Sequence, residues 1–269
     1  MDLDNFIDFF IASCYLANTD WPGNNIKVWR NKNPLDPSGL DTRWRWVLSD
    51  MDFGIGHSTQ ANQMMFSHAL TEDTVCGKLM VHLLKNNAFR LRFADRACAL
   101  INEVYQKDAM LAELDRFADT VAPYIELNFR RWRGDGGSME RWEKHVKDAE
   151  HFLSNRTSYF LRELQDKLHV TLDVFSCETD SHADVFITTE PPSGGRSDHC
   201  MTDRLMDHSS LYFRDSTTIT IRAVPHDGYR VTGLVCKIGP REETVSGNTL
   251  RIELYAKCSI TVLTEKINP

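Results

Sequence analysis

From Leu3 to Tyr15 the apolar side chains Leu3, Phe6, Ile7, Phe10, Ile11, Cys14 and Tyr15 recur at the i, i+3, i+4, i+7 spacing of one helical face. Pro22 and Gly23 then force a loop over Asn18 to Asn25, and the β-formers of Ile26–Arg30 and Arg43–Leu48 predict two antiparallel strands joined by the Pro- and Gly-bearing loop Asn31 to Asp41. His57 to Glu72 is polar with little periodicity and predicts a mobile loop. Helical periodicity follows for about a hundred residues. Its successive faces are Leu79 and Leu83; Phe89 to Val104; Leu114, Phe117, Val121 and Ile125; Trp142 to Leu153; and Leu161 to Leu168. Pro123 is expected to kink the third of these, Gly134 to Gly137 to break the chain, and Ser138 to cap the helix that follows.

Near His169 the period changes to two. Val170 to Val174, Val185 to Ile187, Ile219 to Ala223, Leu250 to Leu254, and Ile260 with Val262 read as short strands between Gly, Pro, Asp and Ser clusters, with Pro191 to Gly195 as a loop among them. The expected fold is therefore α+β: a helical region with a β-hairpin at its front over residues 1–168, then a small all-β, sandwich-like module over residues 169–269.

Composition narrows the partners. The 269 residues carry a net charge of −7 with no basic cluster, which argues against nucleic acid as the main partner. No apolar run reaches membrane-spanning length, and the first residues lack the basic start and apolar core of an export signal. Seven cysteines form no C-x-x-C pair and are expected as buried thiols. His145 and His151, six apart, are expected on different faces of their helix; His199 beside Cys200 reads as loop polarity; and the Asn155-Arg156-Thr157 sequon is expected at a helix junction.

The candidate chemistry lies at the hairpin. Its second strand runs out into Asp50 and Asp52, followed by Gly54 and Gly56: hard oxygen ligands suited to Mg²⁺ or Mn²⁺, where the plainer reading is a charged turn. Asp20 and Asn25 stand five apart in the loop before the hairpin. Phosphoryl transfer of the protein-kinase kind uses this order: an Asp to orient and accept the proton of a hydroxyl, an Asn for a metal, a strand pair, then a metal-binding Asp. Asp52-Phe53-Gly54 also spells the kinase metal motif.

The segments Asn18 to Lys27 with Trp29-Arg30, Trp44-Arg45-Trp46 to Gly54, Leu83 to Asn86, Phe89-Arg90, Arg131-Trp132, Ser138-Met139, Trp142 and Phe152 to Arg156 resemble the spore coat protein H (CotH) family of atypical protein kinases. The resemblance covers residues 1 to about 168. It implies a Ser/Thr kinase-like C-lobe using ATP and Mg²⁺, with a coat or surface protein as substrate in a spore coat or extracytoplasmic setting. Under it Asp20 is the catalytic Asp; Asn25, Asp50 and Asp52 are metal ligands; and Asn24, Lys27 and Arg30 are additional candidates. No Gly-rich loop and no strand-borne Lys precede Asp20, so the chain is expected to lack the kinase N-lobe and to be weak or inactive alone. Thr218 to Pro225 with Gly228-Tyr229-Arg230 resembles internalin-type repeats, with Tyr212, Phe213 and Tyr229 expected in its core. Two other functions fit parts of the pattern: a non-catalytic coat or surface protein using the scaffold for protein contacts, and a haloacid-dehalogenase-type phosphohydrolase built on the Asp-x-Asp pair.

Overall fold

The computed structural model describes residues 1–35, 37, 39, 41–132, 137–179, 182–190, 201–206 and 210–267. Parts of the loops expected at Asn31 to Asp41 and Gly134 to Gly137, all of Pro191 to Gly195, and His199 with Cys200 lie outside the described residues. The architecture is α+β, and the chain forms two compact units: Met1–Lys85 with Val104–Lys167, and Asn86–Glu103 with Leu168–Pro269.

In the first unit, α1 spans Leu3–Tyr15 and is capped by Asp2, whose side chain accepts from the Asn5 N–H at 3.4 Å. The helix is buried on more than the one face its periodicity marks, because Phe9, Ala12 and Ser13 are enclosed as well as Phe6, Ile7, Phe10, Ile11 and Cys14. Strands β1 (Lys27–Trp29) and β2 (Arg45–Val47) pair antiparallel, with Val28 opposite Trp46. The Asn5 carboxamide works as a substitute peptide for β2: it donates to the Trp46 carbonyl at 3.2 Å and accepts from the Trp46 N–H at 2.6 Å. Trp46 packs on Phe6 at 4.8 Å between rings, and Arg45 reaches Asp2 at 3.0 Å. The hairpin is thereby fixed to the start of α1.

The stretch expected as a mobile loop, His57 to Glu72, instead contains the short helix α2 (Met65–Ala69), because Met65, Phe66 and Ala69 fall on one side and are all buried. Helix α3 (Val75–Leu83) is capped by Thr74. Helix α4 (Asn87–Glu103) belongs to the other unit, and α5 (Lys107–Arg131) runs through Pro123. The apolar face expected on α5 exists but is not enclosed: none of its residues is buried, and Phe117 is 60% exposed. Periodicity fixes the side of a helix on which apolar groups lie, not what covers it.

The last two helical faces join into one helix, α6 (Met139–Leu168), with neither Gly nor Pro to interrupt it. Ser138 caps it as expected, accepting from the Arg141 N–H at 3.1 Å. The sequon at Asn155 therefore sits inside a helix rather than at a junction. Phe10, Trp21, Phe66, Phe160 and Tyr15 form an aromatic chain, with ring separations of 4.9 Å for Phe10–Trp21, 5.9 Å for Phe10–Phe66, 5.8 Å for Phe66–Phe160 and 5.3 Å for Phe160–Tyr15.

The second unit is a sandwich-like pair of sheets. The strands are β3 (Leu172–Glu178), β4 (Ala183–Glu190), β5 (Arg204–Leu205), β6 (Leu211–Arg214), β7 (Thr218–Pro225), β8 (Tyr229–Ile238), β9 (Arg241–Ser246), β10 (Thr249–Glu253) and β11 (Cys258–Lys266). One sheet has the order β10-β7-β4-β5 and the other β6-β3-β11-β8-β9, with β3 and β11 parallel. Alternate residues from both sheets, among them Phe175, Val185, Ile187, Ile219, Ile221, Leu234 and Ile260, make one core. Helix α4 holds the edge strand β6: the Asn102 side chain exchanges hydrogen bonds with the Tyr212 backbone at 2.8 and 2.9 Å, and Arg214 pairs with Asp95 at 2.8 Å. Phe213 lies in the core, whereas Tyr212 and Tyr229 are half-buried, Tyr229 stacked on His182 at 4.0 Å. The six described cysteines are buried free thiols.

Candidate active site

The loop leaving α1 gathers the two side chains singled out by spacing, Asp20 and Asn25, and a third that the resemblance added, Asn24. Asn24 donates to Asp20 Oδ1 at 2.8 Å, and Asn25 donates to Asp20 Oδ2 at 2.7 Å, so both carboxylate oxygens carry an amide. The Asn24 N–H also donates to the Asp20 carbonyl at 3.0 Å, closing a tight turn. Asn25 has a left-handed backbone (φ 57°), a conformation that Asn tolerates better than most residues.

Asn18, buried at 1% exposure, ties this loop to the acidic turn. Its carboxamide oxygen accepts from the Asp20 N–H at 3.3 Å, and its nitrogen donates to the Asp50 carbonyl at 3.3 Å. Asp50 and Asp52 are both exposed, Asp50 in the left-handed region (φ 58°). The turn that follows returns to the end of α1: the Gly54 N–H donates to the Met51 carbonyl at 3.1 Å, and the Ile55 N–H donates to the Leu16 carbonyl at 2.8 Å. A Cβ on Gly54 would meet the Leu16 oxygen at 2.5 Å, so this close approach requires glycine. Ile55 is β-branched yet left-handed (φ 51°), a costly conformation that its bond to Leu16 helps to hold. The loop of Asp20 and the turn of Asp50 and Asp52 are thus anchored to the same end of one helix.

Lys27 and Arg30 are engaged nearby. Lys27 Nζ donates to Ser49 Oγ at 2.7 Å, and the Arg30 guanidinium lies 4.9 Å from the centre of the Trp44 ring. Val28, Trp29, Trp44, Val47, Leu48 and Phe53 are all exposed, which makes the ribbon and the acidic turn an apolar surface edged by carboxylates.

Among the described residues no three His, Cys, Asp or Glu side chains are gathered for a metal. The donors present are nevertheless of the kind a Mg²⁺ ion takes, since Mg²⁺ is commonly held by one or two carboxylates with the remaining positions left to water and phosphate oxygens. Asp50, Asp52 and the carboxamide oxygen of Asn25 supply such donors.

Arg156 is the residue that sequence reasoning missed. It is fully buried, and its guanidinium donates to the carbonyls of Tyr15 (2.8 Å), Cys14 (2.6 Å), Ala61 (2.7 Å) and Gln63 (2.8 Å). A cation at the C-terminal carbonyls of α1 satisfies groups that the helix leaves open and opposes its dipole. It also fixes the point from which the Asp20 loop departs. Burial lowers the Arg156 pKa, while the Glu163 carboxyl, which accepts from the Ser67 N–H at 3.0 Å, is pushed up by its own burial. A sequence signal existed: Arg156 interrupts the apolar stripe Ala149, Phe152, Leu153, Phe160 of α6.

Comparison with protein families matches residues 1–160 to the family described as CotH kinase protein. No curated protein and no solved structure gives a match.

Proposed function

The chain belongs to the CotH kinase family, and from that premise we propose that its kinase-like unit binds ATP with Mg²⁺ and transfers the γ-phosphoryl group to a Ser or Thr hydroxyl of a protein. The observation that carries the reading is the joined pair Asp20 and Asn25, linked through Asn18 to the backbone of Asp50. Asp20 orients the acceptor hydroxyl and takes its proton as the oxygen bonds to the γ-phosphorus and the bond to the ADP oxygen breaks. Asn25, Asp50 and Asp52 would hold the metal, which would offset charge on the phosphates. Asn24 keeps Asp20 in place. Lys27 and Arg30 supply positive charge beside the acidic turn, and the exposed Val28 and Leu48 offer the apolar surface on which a nucleotide base seats. The acceptor in this reading is a protein of a coat or surface layer.

A second reading is supported by a specific feature: both Asp20 oxygens are already satisfied internally, as in a scaffold used for protein contacts alone. A phosphohydrolase of the haloacid-dehalogenase type has no such support, because the acidic pair follows a two-stranded antiparallel ribbon rather than a strand of a parallel sheet. Incubation with Mg²⁺ and γ-labelled ATP in the presence of Ser- and Thr-rich acceptor proteins separates the two readings. Label on Ser or Thr that is lost in Asp20→Asn supports the kinase; no transfer to any acceptor, together with no Mg²⁺-dependent nucleotide binding, supports the scaffold.

A further inference from the structure

A cleft of about 460 Å³ opens between the segment Gly56–Ala61 and one side of α6, lined by His57, Ser58, Thr59, Lys144, Asp148 and His151 among others. Its chemistry is opposite to that of the acidic turn beside it. Among the described lining residues Asp148 supplies the sole carboxylate, and Lys144 Nζ donates to it at 2.7 Å. That ion pair lowers the pKa of Asp148, with His145 and His151 adding to the effect. The two histidines expected on different faces of α6 therefore both bear on Asp148, three residues to either side of it. The His57 ring lies 5.6 Å from that of His145, and His145 Nδ1 is buried without a hydrogen-bond partner, 3.9 Å from Asp148. Because the Lys144–Asp148 pair is largely exposed, it is weak, and the ammonium is free to turn to a stronger anion.

The cleft also adjoins the candidate catalytic loop. Ser58 donates to the Phe53 carbonyl at 2.9 Å, and its hydroxyl lies 3.2 Å from that of Thr19, the residue before Asp20. A peptide with one hydroxyl at Asp20 would carry a neighbouring side chain toward this wall.

We infer that the cleft is a phosphoryl-binding subsite, taking a phosphoserine or phosphothreonine side chain of a peptide segment through Lys144, His57 and His151. A phosphate monoester offers three acceptor oxygens and close to two negative charges, which matches one ammonium and two imidazole donors around a cleft of this size. The inference rests on the kinase reading only for the direction from which the peptide arrives; the binding itself needs neither ATP nor metal.

The test is calorimetric titration of the full chain, without nucleotide or Mg²⁺, with a phosphoserine peptide of otherwise neutral residues, its unphosphorylated counterpart, and inorganic phosphate. The phosphopeptide is expected to bind at least about tenfold more tightly than its counterpart. Lys144→Gln and His151→Asn are each expected to weaken it about fivefold or more, whereas Lys147→Gln, the same charge loss outside the cleft, leaves it unchanged. Equal binding of the two peptides, or phosphopeptide binding that survives both cleft variants, would overturn the assignment. Inorganic phosphate binding as tightly as the phosphopeptide would overturn the peptide part of it. Failure here leaves Mg²⁺–ATP binding at Asp50 and Asp52 to be judged separately, because that measurement uses neither probe.

Discussion

The carboxamide of Asn18 donates to the backbone carbonyl of Asp50 at 3.3 Å while accepting from the N–H of Asp20 at the same distance. One buried side chain thus sets the spacing between the candidate proton acceptor and the candidate metal turn. Replacing it leaves both backbone groups without that partner, so Asn18→Ala is expected to cost about 1–3 kcal/mol of stability and to weaken Mg²⁺–ATP binding although Asn18 is not proposed to touch the ligand. Urea unfolding beside nucleotide titration checks this. Weakened stability with unchanged nucleotide affinity would remove Asn18 from the account of the site.

The approach of Gly54 to Leu16 predicts a steric effect at the same turn. In Gly54→Ala the new methyl group meets the Leu16 carbonyl, a backbone atom that cannot swing aside. A cost of about 1–3 kcal/mol is expected, read as a lower urea midpoint. A variant as stable as the parent would mean that the turn is not held against α1.

Arg156 carries the largest expected loss. Arg156→Met keeps much of the volume but removes the guanidinium donor from four carbonyls, of which that of Cys14 keeps the Ala17 N–H, and removes the positive charge that offsets the burial of Glu163. About 3–5 kcal/mol is expected from breaking a buried charged cluster on one side. Glu163→Gln in the same background should recover part of it, because the unpaired charge is then gone. No recovery in the double variant would assign the whole cost to the orphaned carbonyls.

The β unit predicts a pH effect with a definite sign. Asp173 is 6% exposed, and its Oδ2 has no hydrogen-bond partner; burial first and Asp215 second push its pKa up. With the folded value above the unfolded one, its contribution to stability is fully present below the ordinary carboxylate range and is lost as pH rises through the folded value. Asp173→Asn removes this titration. The variant should therefore be more stable than the parent at neutral pH, with the advantage shrinking as pH falls. Thermal unfolding across the range from about pH 4 to 8 tests it, and an advantage that does not change with pH would refute the assignment.

Much of this was legible in the sequence where one local pattern decides the outcome. Helix α1, the Ser138 cap and strands β3, β4, β7, β10 and β11 follow from periodicity and capping chemistry alone, whereas β5, β6, β8 and β9 were not read from the sequence. The placement of Asp20 and Asn25 five apart in one Pro-Gly loop was legible, and the hydrogen bond that joins their side chains was not. What escaped depends on distant partners. Arg156 bonds only main-chain oxygens from far along the chain, so no side-chain motif marks its targets. Helix α2 is too short for its buried Met65, Phe66 and Ala69 to stand out as a helical period. Helix α4 has the apolar face expected of it, but the pairing of Asn102 with Tyr212 and of Asp95 with Arg214, which joins it to the β strands, has no local signature.

The measurement that bears most directly on the central claim is calorimetric titration of the chain with ATP in the presence and absence of Mg²⁺, beside Asp50→Asn and Asp52→Asn. Mg²⁺-dependent binding that falls at least about tenfold in one or both variants is the predicted result, and whichever variant loses more identifies the main metal carboxylate. Binding that is absent, or present with the same affinity in all three proteins, would contradict a metal–nucleotide site at this turn.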